Sequence, residues 1–208
     1  MIAGYRHAVA TTVARRTQAE RTEATTGALV DAARELFSRD GYAATSLAAV
    51  AARANVTKGA VYHHFDGKQQ LFEAVFTREV ERIATPLVAA YARKKDPWEA
   101  FKAGCRAFLD ECLDPDVQRI VLLDALSAIG WEQVRQLETP LLEMIELGIS
   151  RAAGAGRIAR RPPAPLANFL YGALCETAMI VARADDQKVA HRQAITEIGR
   201  ILDGLAIA

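Results

Sequence analysis

No stretch of this 208-residue chain approaches the run of about eighteen apolar residues that crosses a bilayer, and no apolar block of the kind that heads a secretory signal stands near its N-terminus. A membrane is therefore not an expected partner, and a cytoplasmic location is the simplest expectation. Cysteine is scarce: Cys105, Cys112 and Cys175 are odd in number and widely spaced, which argues against a disulfide framework and leaves buried thiols as the ordinary reading. Alternation of β-branched residues at period two is nearly absent, so little sheet is expected. Charge of one sign is missing as well, with 26 Lys and Arg against 25 Asp and Glu, which excludes a histone-like binder. P-loop, GxGxxG and HExxH patterns are all lacking, and "GAGR" at 154–157 has neither the following Lys-Ser/Thr nor a preceding strand. No cofactor, metal or enzymatic activity is expected.

What is present is alanine, leucine and mixed charge, with 51% apolar residues, enough for a real core. The near-neutral total hides a tilt: residues 1–68 carry nine Lys/Arg against six Asp/Glu, and the remainder seventeen against nineteen. Contact with nucleic acid would therefore be local and N-terminal. Residues 1–24 show no apolar stripe and read as an arm carrying Arg6, Arg15, Arg16 and Arg21, mobile or partly helical. Leu29, Ala32, Ala33, Leu36 and Phe37 then recur at i, i+3, i+4, i+7 and i+8, predicting a helix over 25–40 that Gly41 ends. Thr45 is the expected N-cap of a second helix over 46–53, and Thr57 that of a third reaching His64. Asp66 and Gln69 have capping-box spacing before a long fourth helix that Pro86 should end or kink.

Beyond it, Asp96-Pro97 and Asp114-Pro115 each set an N-cap before a proline at the first helical position. The helix from Pro115 should run to about Ala128. A further one covers 131–153 with a bend at Pro140, a loop covers 154–165, and two apolar helices, 166–184 and 187–206, close the chain. The fold class expected is all-α with about nine helices, divided into the arm (1–24), a helix-turn-helix domain (25–70) and a larger helical domain (71–208).

The third helix lies within "TKGAVYHHFDGKQQLF" (57–72). Ala51 is small where two helices would cross, Asn55 sits in a turn that often needs left-handed backbone, and Val56 and Val61 are placed to anchor the helix. Gly59 and Ala60 are small enough for it to lie deep in a major groove. His63 and His64 cannot face one metal from a regular helix, since neighbours diverge by about 100°. Gly67 and Lys68 also stand where further ligands would be needed.

Residues 25–76 as a whole, through "AARELF", "GY..T", "A..A.V.KGAVYHHF" and "K..LF", closely resemble the DNA-binding domain of TetR-family transcriptional regulators, except that Asn55 replaces the usual turn glycine. The resemblance implies a homodimer on a palindromic double-stranded DNA operator, most often a repressor released by a small-molecule effector. It implies DNA-contact roles for Thr45, Ser46, Thr57, Lys58, Gly59, Ala60, Tyr62, His63 and Lys68. Within the larger domain, Phe101, Phe108, Asp124, Trp131, Met144, Asn168, Tyr171 and Glu176 are the expected lining of an effector cavity, for a hydrophobic or aromatic molecule. The wide stripes Leu166, Phe169, Leu170, Ala173, Leu174, Thr177, Ile180, Val181 and Ile195, Ile198, Ile201, Leu202, Leu205 suggest a two-fold helix-bundle interface. Readings from other classes are a helical enzyme or metalloprotein using His63 and His64, and a ligand-independent interaction scaffold.

Overall fold

Six helices begin where a side chain accepts from their first backbone N–H groups. The computed structural model describes residues 17–207. They form α1 (Gln18–Ala44), α2 (Leu47–Arg53), α3 (Lys58–His64), α4 (Lys68–Ala92), α5 (Pro97–Glu111) and α6 (Pro115–Val117). A π-helical stretch, Gln118–Asp124, leads into α7 (Ala125–Leu137), α8 (Thr139–Gly154), α9 (Pro163–Ala182) and α10 (Gln187–Asp203). Gly130, at φ +78° and ψ 161°, interrupts α7 at the point where the helix from Pro115 is expected to stop. No strand occurs among the described residues; the isolated pair Ile158–Ala206 bridges the α8–α9 loop to the end of the chain.

Caps explain several boundaries. Thr17 and Glu20 make a reciprocal capping box, so α1 starts at Gln18, inside the stretch expected to be a mobile or partly helical arm. Arg6, Arg15 and Arg16 lie outside the described residues. Ser46, rather than Thr45, caps α2 by accepting the Ala49 N–H. Thr45 instead turns inward, donating its hydroxyl to the Leu36 and Gly41 carbonyls at the end of α1. Asp96 and Asp114 cap α5 and α6 ahead of their prolines, as expected. At α4 the cap position is Gly67, and Gln70 rather than Gln69 reaches back, accepting the Asp66 N–H at 2.6 Å.

Proline behaves differently at its two internal positions. Pro86 sits within α4, which continues to Ala92. Near Pro140 the expected bend is a break: α7 ends at Leu137 and α8 begins at Thr139, where a proline in the first turn removes no bonded N–H.

The apolar stripe of α1 is fully interior, with Leu29, Ala33 and Phe37 buried, and Phe37 packs edge-on against Phe72 of α4 at 5.1 Å. Helices α1–α3 form a small head on the N-terminal half of α4. The C-terminal half of α4 packs against α5, and α8 and α9 complete the larger bundle. The head and bundle meet along a polar seam. Glu79 of α4, fully buried, accepts from Arg34 of α1 at 2.6 Å and Arg82 of α4 at 2.8 Å. Arg34 also pairs with Asp116 at 2.8 Å, and Ser38 bonds the same carboxylate. Farther along, Asp124 accepts the Tyr42 N–H at 2.7 Å and pairs with Arg119 at 3.1 Å. Gly41 has φ +83°, and a Cβ there would lie 1.9 Å from the Arg119 guanidinium. That guanidinium can reach Asp124 only across a bare backbone.

Glu79→Ala is expected to cost about 2–3 kcal/mol in urea unfolding, somewhat less than breaking a fully buried pair because both arginines keep some solvent access. Arg53→Ala, which removes the exposed pair with Glu35, should stay within about 0.5 kcal/mol.

Candidate nucleic-acid interface and sensor cavity

The head presents α3 outward because its anchors are short and specific. Val61 is fully buried, Phe65 is buried just after the helix, and Val56 packs at the edge of the core. Asn55 holds φ +55°, the left-handed turn that its side chain tolerates, so α2 and α3 join without a glycine. Thr57 caps α3, its hydroxyl oxygen accepting the Ala60 N–H at 3.2 Å while its O–H remains available to donate. Ser46 stands in the same relation to Ala49.

Of the nine expected DNA-contact residues, Ser46, Thr57, Lys58, Gly59, Tyr62 and His63 are exposed. Ala60 is half-buried. Tyr62 is half-exposed despite its aromatic bulk, and Lys58 extends over its ring at 5.8 Å. The surface is therefore built from hydroxyls, one ammonium, one phenol and one imidazole, around a glycine with no side chain to obstruct approach.

Two members of the set are turned elsewhere. Thr45 is buried and spends its hydroxyl on α1 carbonyls. The Lys68 ammonium points into the head, donating to the Tyr42, Ala43 and Thr45 carbonyls at 2.9, 3.3 and 3.1 Å. It also lies 4.3 Å from the Tyr42 ring centre. The last carbonyls of α1 are natural acceptors for a cation, so Lys68 is a staple between α4 and the α1–α2 turn rather than a phosphate-facing ammonium.

The histidines part as their spacing predicts. His64 turns to Thr26 of α1, with Nδ1 3.0 Å from the hydroxyl, while His63 faces solvent. Among the described residues, no group of three or more His, Cys, Asp or Glu stands close enough to hold a metal ion.

In the larger domain a cavity of about 470 Å³ opens between α4, α5, α8 and α9. It takes Phe101, Phe108, Met144 and Tyr171 from the expected lining. The other four residues lie outside it. Asp124 belongs to the seam, and Trp131 is 66% exposed on α7. Asn168 is an exposed bridge from Arg135 to the Ala164 carbonyl, and Glu176 is exposed on α9. Leu87, Tyr91 and Arg151, which sequence periodicity did not single out, contribute instead. Behind Tyr171, the carboxyl of Glu138 is pushed up by burial and partly held down by Tyr171 and Arg135. Burial also pushes Cys105 and Cys175 up to about 12 and raises Cys112 further, which favours the protonated thiol in all three.

The stripes expected at an interface divide between inside and outside. Leu170 and Leu202 belong to the subunit's own core, where the Leu202 carbonyl also accepts the Trp98 indole N–H at 3.2 Å. Leu166, Ala173, Thr177, Ile195, Ile198 and Leu205 are half-buried. Phe169 is 67% exposed, and Ile180 and Ile201 of the same stripes are exposed as well. By length and hydropathy α9 could cross a membrane, but it is flanked by α8 and α10 and only 33% of its most apolar window is buried. An apolar helix with that much open face belongs equally to a protein that buries it against a partner.

Lys68→Met should lower stability by about 1.5–3 kcal/mol, since three carbonyls lose a charged donor. Tyr62→Ala should change it by no more than about 0.5 kcal/mol, and paired denaturant titrations would separate the stapling residue from the surface one.

Comparison with known proteins agrees with this architecture. Residues 29–75 match the family model described as bacterial regulatory proteins, tetR family, and residues 98–205 the model described as tetracyclin repressor-like, C-terminal domain. The chain is 32% identical over 124 residues to the transposon Tn10 TetC protein of Escherichia coli, a match covering 58% of this chain and 60% of that protein. It is 31% identical over 149 residues to the HTH-type transcriptional regulator CymR of Pseudomonas putida, covering 69% and 73%. The crystal structure of a TetR-family transcriptional regulator from Pectobacterium atrosepticum superposes with a TM-score of 0.80 at 33% identity, over 93% of this chain and 99% of that one. With both halves matched in order, and the head and bundle arranged as described, the chain belongs to the TetR family of transcriptional regulators.

Proposed function

We propose that the protein is a ligand-responsive transcriptional repressor that binds a palindromic operator as a homodimer and leaves it when a hydrophobic effector fills the cavity. The observation that carries the DNA half is the exposed face of α3: Thr57, Lys58, Gly59, Tyr62 and His63 outward, on a helix pinned from behind by Val61. Lys58 and the small Gly59 are placed for base edges and the adjacent backbone, and Ser46, Tyr62 and His63 for flanking phosphates. Lys68 contributes by fixing α4 to the head. Two such helices must stand about one DNA turn apart, roughly 34–36 Å, which requires a second copy. The exposed Phe169 and Ile180 on α9, with Ile201 on α10, are the surface we assign to that pairing.

The effector half rests on the cavity's position. It lies against the C-terminal part of α4, whose N-terminal end is stapled to the head by Lys68. Occupancy that shifts α4 therefore shifts the spacing of the recognition helices. The effector must bind the non-DNA conformation better, because equal affinity for both shifts nothing, and operator DNA must weaken effector binding by the same factor.

Genome-wide mapping of binding sites should recover two-fold symmetric operators. On such an operator, affinity should fall steeply as salt rises, and Lys58→Ala should reduce the salt slope by about one unit, as expected for the loss of one phosphate contact. Tyr62→Ala should weaken binding without unfolding the protein. Unchanged affinity in both variants would remove α3 as the reading element. Phe169→Glu should turn a dimer into a monomer by light scattering; a monomeric wild type would contradict the pairing assigned to α9.

A further inference from the structure

The cavity has one chemically distinctive wall. Its lining contains no acidic residue, and its single ionised side chain is Arg151, near the end of α8. Among the described residues Arg151 pairs with no carboxylate; its guanidinium lies 5.8 Å from the Tyr91 ring centre. Beside these two stand Val88 and Leu147, cavity-lining residues that are nonetheless more than half exposed, at 55% and 51%. Lining residues this exposed mark the mouth, so the opening has apolar lips and one cation.

Two glycines shape the interior. Gly104 sits mid-helix in α5, where glycine is disfavoured relative to alanine. No atom lies within 4 Å of where its Cβ would be, so the missing side chain is cavity space. Gly148 has the opposite reason: a Cβ there would lie 2.7 Å from the Phe101 ring, which therefore rests directly on α8. Phe101 in turn stacks on Trp98, with centroids 5.0 Å apart and planes 6° from parallel.

We propose that the effector is an amphipathic acid: an apolar body of about ten carbons within the cavity and a single carboxylate at its mouth, paired with Arg151. This rests on the cavity being the effector site. The size follows from volume, since at about 30 Å³ per water-sized group the cavity holds roughly fifteen non-hydrogen atoms. The charge follows from the lining. An amine would meet a cation and no acid, and a neutral head would leave the guanidinium at the solvent-exposed mouth unpaired, where a carboxylate could accept a charge-assisted hydrogen bond from it.

Trp98 supplies the readout. In Trp131→Phe, which replaces an exposed side chain outside the cavity, Trp98 is the single tryptophan and touches the wall through Phe101. Decanoate, 1-decanol, decylamine and decanoyl-coenzyme A would each be titrated below their micellar concentrations while Trp98 fluorescence is followed. Decanoate should bind at least about tenfold more tightly than decanol or decylamine. Arg151→Gln should abolish that preference without weakening decanol, Arg151→Lys should keep most of it, and Gly104→Leu should weaken every ligand by filling the cavity. Equal binding of decanoate and decanol, or an unchanged preference in Arg151→Gln, would overturn the acid while leaving the apolar cavity intact. Binding of decanoyl-coenzyme A without decanoate would overturn the free carboxylate in favour of a thioester. Saturable binding by none of the four, in a folded protein, would remove the cavity as an effector site altogether.

Discussion

The carboxylate of Glu79 is withdrawn completely from solvent, and the arrangement of head and bundle follows from how it is satisfied. An ionised carboxylate in that position needs cations with fixed geometry, and Arg34 and Arg82 reach it from α1 and α4. Arg34 then draws in Asp116, and Arg82 reaches Asp114, so the start of the helical run after α5 is bound to the same pair of helices. Asp124, one π-helical stretch later, adds the Tyr42 N–H and Arg119. Apolar packing alone would allow the head to slide on α4. Directional charge-assisted bonds in a buried seam do not, and they give the two parts a defined relative position.

That constraint makes α4 a lever. From Lys68, stapled to the head, to Tyr91 at the cavity mouth it spans about 35 Å at 1.5 Å per residue. The helix passes through Pro86 without ending, so Leu87, Val88 and Tyr91 at the cavity stay on the same helix as Lys68. The π-helical stretch Gln118–Asp124 lies along the same seam, and wide helical turns of that kind are rare and frequently found at functional sites. A ligand able to distinguish two positions of α4 by a few kcal/mol is sufficient to move a population between DNA-competent and incompetent states.

The sequence made the head legible nearly residue by residue, because its signals are local. The stripe of α1, the turn at Asn55 and the cap at Thr57 depend on neighbours three or four positions away. Thr45 and Lys68 departed from their expected roles for a non-local reason: each finds its acceptors at the end of α1, and nothing in the spacing of residues 45–68 reveals those carbonyls. The cavity was half legible. Aromatic residues on apolar faces, such as Phe101 and Tyr171, were placed well. Asp124 and Asn168 were polar residues on apolar segments, and their partners proved to lie in the seam and in Arg135. Arg151 was unreadable, since an arginine late in a helix looks like ordinary helix-end charge until α4 brings Tyr91 beside it. Leu170 and Leu202 illustrate the same limit, because periodicity gives the face of a helix but not which protein buries it.

Coupling between the head and the cavity wall is tested most directly by hydrogen exchange on the protein with and without its operator DNA. Bound operator should protect α3. It should also alter exchange in the Asp114–Asp124 segment and in α8 around Gly148, which DNA never touches. Changes confined to residues 45–68 would contradict the account, leaving a DNA-binding head that carries a bundle without sensing through it.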